Sequence, residues 1–319
     1  MARVLVLTDR HPLDSDWKGA VAWNLIRSLA ESQHQVLVLT TLDPETIDVT
    51  HPRLTIARPA QSWSAAALPK FLQGILLFQP EVVHTFAVKP SRLWQSLTLW
   101  PYLNKALMVL PALKRFSTLF ESADLPEEDP SLSWHRGSHR NVVFSPEQKA
   151  ALQRQLSRSI EVSPLEIEAL AGEPGEKTGP PYVLVPAPVG EWNNPSRDLL
   201  VLAKFLEERP ELHAHVVGGW GDWPASSRRA AWSKMMPVAD RLHMLEPMTL
   251  NQLMTHSRLC RALWCEPLVR DSWRELVAAQ IAASLDIPAH GSRPALNQGS
   301  TANFLSRLFA GTLEAWPNP

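Results

Sequence analysis

Two short apolar runs, residues 4–8 (VLVLT) and 36–40 (VLVLT), bracket a segment whose apolar residues recur at helical spacing, residues 19–32 with Val21, Leu25 and Leu29. A run that is apolar without alternation reads as a strand buried on both faces, the mark of a parallel sheet covered by helices. The helix between the two runs supplies the crossover that parallel neighbours require. The alternation continues with strands at 54–57, 81–85 and 141–144 and helices at 66–78 and 146–156. A glycine- and proline-bearing stretch, AGEPGEKTGPP at 171–181, then reads as a linker. A second series follows it. Strands are expected at 182–186, 213–217, 241–245 and 262–265. Helices are expected at 196–208, 226–236, 250–256, 273–285 and 303–313. Two similar series predict an α/β protein of two Rossmann-like domains facing a cleft.

The bulk properties narrow the function classes. A length of 319 residues suits two domains, and a formal net charge of −1 gives no electrostatic case for a nucleic-acid partner. Cys260 and Cys265 are the only cysteines and lack a second Cys/His pair at zinc spacing, so they read as buried thiols and no metal is expected. Cysteine poverty fits a reducing cytoplasm. The apolar run at the N-terminus is too short for an export signal, and no stretch of about 18 apolar residues is present to span a membrane.

Several segments resemble, in order, those of retaining GT-B glycosyltransferases that use nucleotide sugars. RVLVLTD followed by GAVAWNLIRSLAESQHQVLVLT resembles the family's opening strand, glycine loop and helix. PEVVHTF resembles its D-V-V-H-x-H strand. LLVLAKFLEERPELHAHVVGG and RLHMLEPMTLNQLMTHSRLCRALWC resemble its second-domain stretches. The resemblance implies an acceptor-side domain at 1–170, a donor-side domain at 182–300, and a final helix within 301–319 that packs back on the first domain.

The departures fall where the resemblance places the chemistry. The donor helix and turn carry a pattern close to E-x7-E-A-M-A-x-G-x-P. Here WRELVAAQIAASLDIP, residues 273–288, sets Trp273 and Ile281 at the glutamate positions and Asp286 at the glycine. Of the paired glycines after the first strand, Gly19 remains. The Arg and Lys that neutralise the donor diphosphate in G-R-x-x-x-x-K-G are absent from APVGEWNNPSRD, where Glu191 follows Gly190. Arg197 is the cation that a displaced loop would bring in. His84 stands at the first histidine of H-x-H, and Phe86 at the second.

The candidate catalytic residues are therefore His84, Glu266 and Glu275. His84 reads either as an acceptor contact or as a core-edge histidine. Glu266 and Glu275 serve only if a shifted loop brings one to the cleft. Gly19, Arg197, Gly218 and Gly219 are the candidate cofactor-binding positions, although Gly218 and Gly219 read more readily as a plain turn. Residues 92–120 mix aromatics with cations and read either as interior helices or as a surface for peripheral contact with the inner face of a membrane.

Losing the glycines, the cations and both glutamates together removes most of what stabilises a leaving diphosphate. The resulting expectation is a glycosyltransferase-like pseudoenzyme, with no cofactor, that partners an active glycosyltransferase or a polysaccharide-assembly protein. The alternatives are an active GT-B enzyme with an atypical donor site and a nucleotide-binding regulator.

Overall fold

The computed structural model describes residues 1–14, 17–61, 65–86, 114–118, 135–136, 138–156, 159–165, 167, 179–192, 194–264, 272–290 and 301–314. It divides into two compact units, Met1–Glu166 with Asn297–Pro319, and Ile167–Leu296.

The first unit is built on seven parallel strands: β1 (Arg3–Leu7), β2 (Gln35–Leu39), β3 (Leu54–Ala57), β4 (Val82–Phe86), β5 (Lys114–Thr118), β6 (Arg140–Val143) and β7 (Ile160–Val162). Their order is β3-β2-β1-β4-β5-β6-β7. Helix α1 (Lys18–Glu31) makes the β1–β2 crossover, α2 (Leu68–Phe78) precedes β4, and α3 (Pro146–Gln153) joins β6 to β7. Burial explains the apolar runs. Val4 to Leu7 and Val38 are fully buried, and Val36 and Leu39 nearly so. Leu5, Leu7, Leu37 and Leu39 pack with Phe71 and Ile75 of α2 on one face of the sheet.

The second unit holds five parallel strands: β8 (Tyr182–Val185), β9 (His213–Val217), β10 (Leu242–Leu245), β11 (Ala262–Trp264) and β12 (Ala289–His290). Their order is β10-β9-β8-β11-β12. Its helices are α4 (Pro195–Glu207), α5 (Ala225–Met235), α6 (Leu250–Leu259) and α7 (Ser272–Ser284). Leu199, Leu202 and Leu206 of α4 pack with Val183, Val185, Ala214 and Val216 of the sheet and with Met235 of α5.

The last helix, α8 (Thr301–Glu314), belongs to the first unit and contacts α1. Its Leu305 and Phe309 are fully buried. Phe309 meets Phe116 at 4.8 Å and His84 at 5.9 Å, both edge to face. His34 Nε2 lies 2.9 Å from Ser306 Oγ.

One expectation needs correction. Within 92–120, residues Lys114–Thr118 form β5, an interior strand between β4 and β6. Lys114, Arg115 and Phe116 are buried there, so they are neither helical nor a membrane-facing surface. The rest of that segment lies outside the described residues, as does most of the 171–181 linker. No helix among the described residues is long and apolar enough to cross a membrane.

Candidate functional site

In an open parallel sheet, ligands bind beyond the carboxyl ends of the strands, where the strand order reverses. In the second unit that point lies between β8 and β11. The segment leaving β8, PAPVGEW, carries a short 3-10 turn at Val189–Glu191 and is held by Trp192, whose buried indole Nε1 donates to Ala187 O at 3.1 Å.

A phosphate-binding loop needs backbone N–H groups directed at the ligand. Here they are turned inward. Val189 N donates to Gly219 O at 2.9 Å and Gly190 N to Trp220 O at 3.0 Å. Glu191 N donates to Pro188 O at 3.0 Å and Trp192 N to Val189 O at 3.1 Å. The loop after β9 is equally occupied: Gly218 N donates to Glu246 O at 3.4 Å and Gly219 N to Val216 O at 3.3 Å. Gly218 and Gly219 have φ of 77° and 53°, so glycine serves the turn itself. A Cβ on Gly190 would lie 3.0 Å from Trp223 N and 3.1 Å from Trp220 O, so its missing side chain lets the two loops press together.

Charge is arranged to the same effect. Glu191, standing at a cation position of the resemblance, receives a two-point contact from Arg274 in the first turn of α7. Arg274 Nε donates to Oε2 at 2.6 Å and Nη2 to Oε1 at 3.3 Å. The arginine side chain is 9% exposed and the glutamate 42%. Arg197 is 69% exposed and pairs with the fully buried Asp198 at 3.0 Å. The N-terminus of α4 is filled from within. The Asn194 side chain accepts from Arg197 N at 3.3 Å, and Asp198 Oδ2 accepts from Asn194 N at 3.0 Å.

Helix α7 keeps the frame that the resemblance expects at this place. Ile281 is fully buried. Asp286 adopts φ of 51°, the left-handed conformation that glycine takes most readily. Ile287 N donates to Ala282 O at 2.9 Å, closing a Schellman turn. The side chains of Trp273 and Glu275, and all of Glu266, lie outside the described residues. Arg274, which the sequence reading passed over, is the residue that the fold brings to Glu191, 83 positions away. Its sequence signal was a lone cation in the first helical turn.

In the first unit, His84 is a core group. It is fully buried on β4, stacked on Phe86 at 4.1 Å, and its Nε2 lies 2.6 Å from Thr118 Oγ1. Burial pushes its pKa down to about 3, so the ring is neutral. No part of it is open to an acceptor. Gly19 lies inside α1, where an added Cβ would fall 1.9 Å from His11 O. Its bare Cα accommodates the returning loop backbone. Among the described residues, no group of three or more His, Cys, Asp or Glu is arranged to hold a metal ion.

No family model and no curated protein matches this chain in sequence. Solved structures do match in fold. Sucrose-phosphate synthase from Thermosynechococcus elongatus aligns with a TM-score of 0.60 and 15% identity over 98% of this chain and 90% of that one. Anabaena HepE in complex with UDP and glucose aligns with a TM-score of 0.60 and 11% identity over 99% and 90%. The lipopolysaccharide outer core galactosyltransferase WaaB, in its apo form, aligns with a TM-score of 0.57 and 15% identity over 98% and 91%. The chain therefore has a two-domain, Rossmann-like GT-B fold, the fold of glycosyltransferases.

Proposed function

We propose that this protein is a glycosyltransferase-like pseudoenzyme that has lost ordinary nucleotide-sugar chemistry and works as a binding or scaffolding partner. The partner in this reading is an active glycosyltransferase or a polysaccharide-assembly protein in the cytoplasm. The observation that carries the reading is the loop after β8. Its amides at 189–192 all donate to protein carbonyls, and its acid Glu191 is clasped by Arg274. A diphosphate arriving there would meet a carboxylate and no available amide from those four residues. Both the attraction that binds a donor and the field that stabilises its leaving group are thereby reduced.

A thermal-unfolding panel of UDP, GDP and their sugars tests this. A ligand at a hundred times its Kd stabilises the native state by about 2.7 kcal/mol, a shift of several degrees. The expected result is no shift with any member. A shift of several degrees with one of them overturns the pseudoenzyme reading.

One observation favours a second reading, an active enzyme with an atypical donor site. The Glu191 side chain is 42% exposed, so it has room to swing away and release the guanidinium of Arg274 toward a diphosphate. That reading expects nucleotide-sugar protection of the native protein, lost in Arg274→Met.

A further inference from the structure

The second unit carries a shallow, wide-mouthed surface cavity of about 460 Å³ that the donor-site reading does not use. It is lined by Trp220, from the loop after β9, by Trp232 on α5, and by Met236 and Met244. Trp220 and Trp232 meet edge to face at 5.8 Å and 71°. Trp232 is 36% exposed and Met236 64%, so large apolar side chains stand in water at this site. The volume falls in the usual range for small-molecule sites, about 300–1,000 Å³.

The polar groups of the lining decide what class of molecule fits. Arg228 Nε donates to Trp223 O and its Nη2 to Gly221 O at 2.7 Å. The Ser233 hydroxyl donates to Ala230 O at 2.9 Å. Two of the five N–H groups of Arg228 and the hydroxyl proton of Ser233 are thus committed to the backbone. Arg229 is exposed, and its side chain has no hydrogen bond or ion pair with the described residues. Helix α5, ASSRRAAWSKM, carries Arg228, Arg229 and Lys234 and no acid.

A saccharide needs hydrogen-bonding partners around its ring, and a nucleobase needs them along its edge. Four of the seven lining residues are Trp or Met, so most of the lining is carbon and sulfur. Apolar carbon and sulfur beside the exposed Arg229 guanidinium suit a hydrocarbon chain that ends in a single anionic group. The methionines suit a flexible chain, because their side chains adapt to its shape.

We infer that this cavity is a binding site for an anionic amphiphile, an alkyl or prenyl chain bearing a phosphate or carboxylate. The chain lies among Trp220, Trp232, Met236 and Met244, and the anion meets Arg229. The inference does not rest on the donor-site reading.

Calorimetric titration of the full chain with decyl phosphate, kept below micelle formation, tests it. The expected result is saturable binding that weakens at least ten-fold in Met236→Asp, a substitution at an exposed position. Decanol in place of decyl phosphate, and Arg229→Ala in place of the native chain, should each weaken binding by a similar factor. No saturable binding overturns the inference, as does unchanged affinity in Met236→Asp. Equally tight binding of UDP that competes with decyl phosphate also overturns it, by making the site one for nucleotides. Sedimentation with phosphatidylglycerol vesicles then identifies the source. Cosedimentation lost in Met236→Asp, alongside decyl phosphate binding, points to a bilayer lipid. Decyl phosphate binding without cosedimentation points to a soluble amphiphile.

Discussion

At the scale of single residues, the first unit is held by groups with little freedom to change. His84 has its Nε2 on Thr118 Oγ1 and three phenylalanine rings around it. Thr118→Val removes that hydroxyl and leaves a buried ring nitrogen to be satisfied. The expected cost is about 1–3 kcal/mol, measured by urea unfolding. Gly19→Ala places a methyl group against the His11 carbonyl, and the loop must move to admit it. The same measurement should show a loss of about 1–3 kcal/mol, typical of overpacking. The sequence reading offered His84 as an acceptor contact or a core-edge histidine, and Gly19 as a cofactor-binding position. The constraint is packing: His84 faces aromatic rings, and Gly19 faces a loop backbone. A sequence motif records that a residue type is required, and the neighbours supply the reason. Phe309 and His11 are neighbours that no local pattern around 84 or 19 could reveal.

At the scale of elements, the ends of helices were more legible than their surroundings. Ser145 and Gln148, and Thr249 and Gln252, have capping-box spacing in the sequence and form complete capping boxes before α3 and α6. Thr249→Ala should cost about 1 kcal/mol, seen as an earlier unfolding transition. The turn after α7 keeps the left-handed residue that the resemblance assigns to glycine, with Asp286 in that place. Asp286→Gly relieves the Cβ contact and should stabilise the protein by about 1 kcal/mol in the same assay. A gain there would support the register that sets Trp273 and Ile281 against the two glutamates. Three strands escaped the sequence reading for a shared reason. β5 is KRFST, β7 is IEV and β12 is AH: short or polar segments without a sustained apolar run. Pairing with neighbouring strands makes them strands, and a window along the chain does not contain those neighbours.

At the scale of the whole molecule, histidines whose charged form is disfavoured occur in both units. His84 is pushed down to about 3 by burial. His215 is pushed down to about 4, first by burial and then by His243, His256 and His213. His213 is lowered by burial and by His243, whose Nε2 lies 2.8 Å from its Nδ1. His84 and His215 are held neutral in the fold at neutral pH and titrate near 6.5 when unfolded. The stabilisation they give is complete above about pH 6.5 and falls as pH drops toward the folded-state values. For His84 alone the loss approaches about 1.4 kcal/mol per pH unit once the unfolded ring is fully charged. A melting temperature that falls steadily between pH 7 and pH 5 is the expected outcome, with a shallower fall in His215→Gln.

The division of the chain also sets an order of events during synthesis. The first unit is written in two parts, with the whole second unit between them and α8 at the end. Residues Ile167–Leu296 can be complete on the emerging chain while the aromatic socket of His84 and Phe116 still awaits Phe309. A nascent chain halted before residue 301 should resist protease across its second unit and be cut within its first. The first unit would then finish folding after the second.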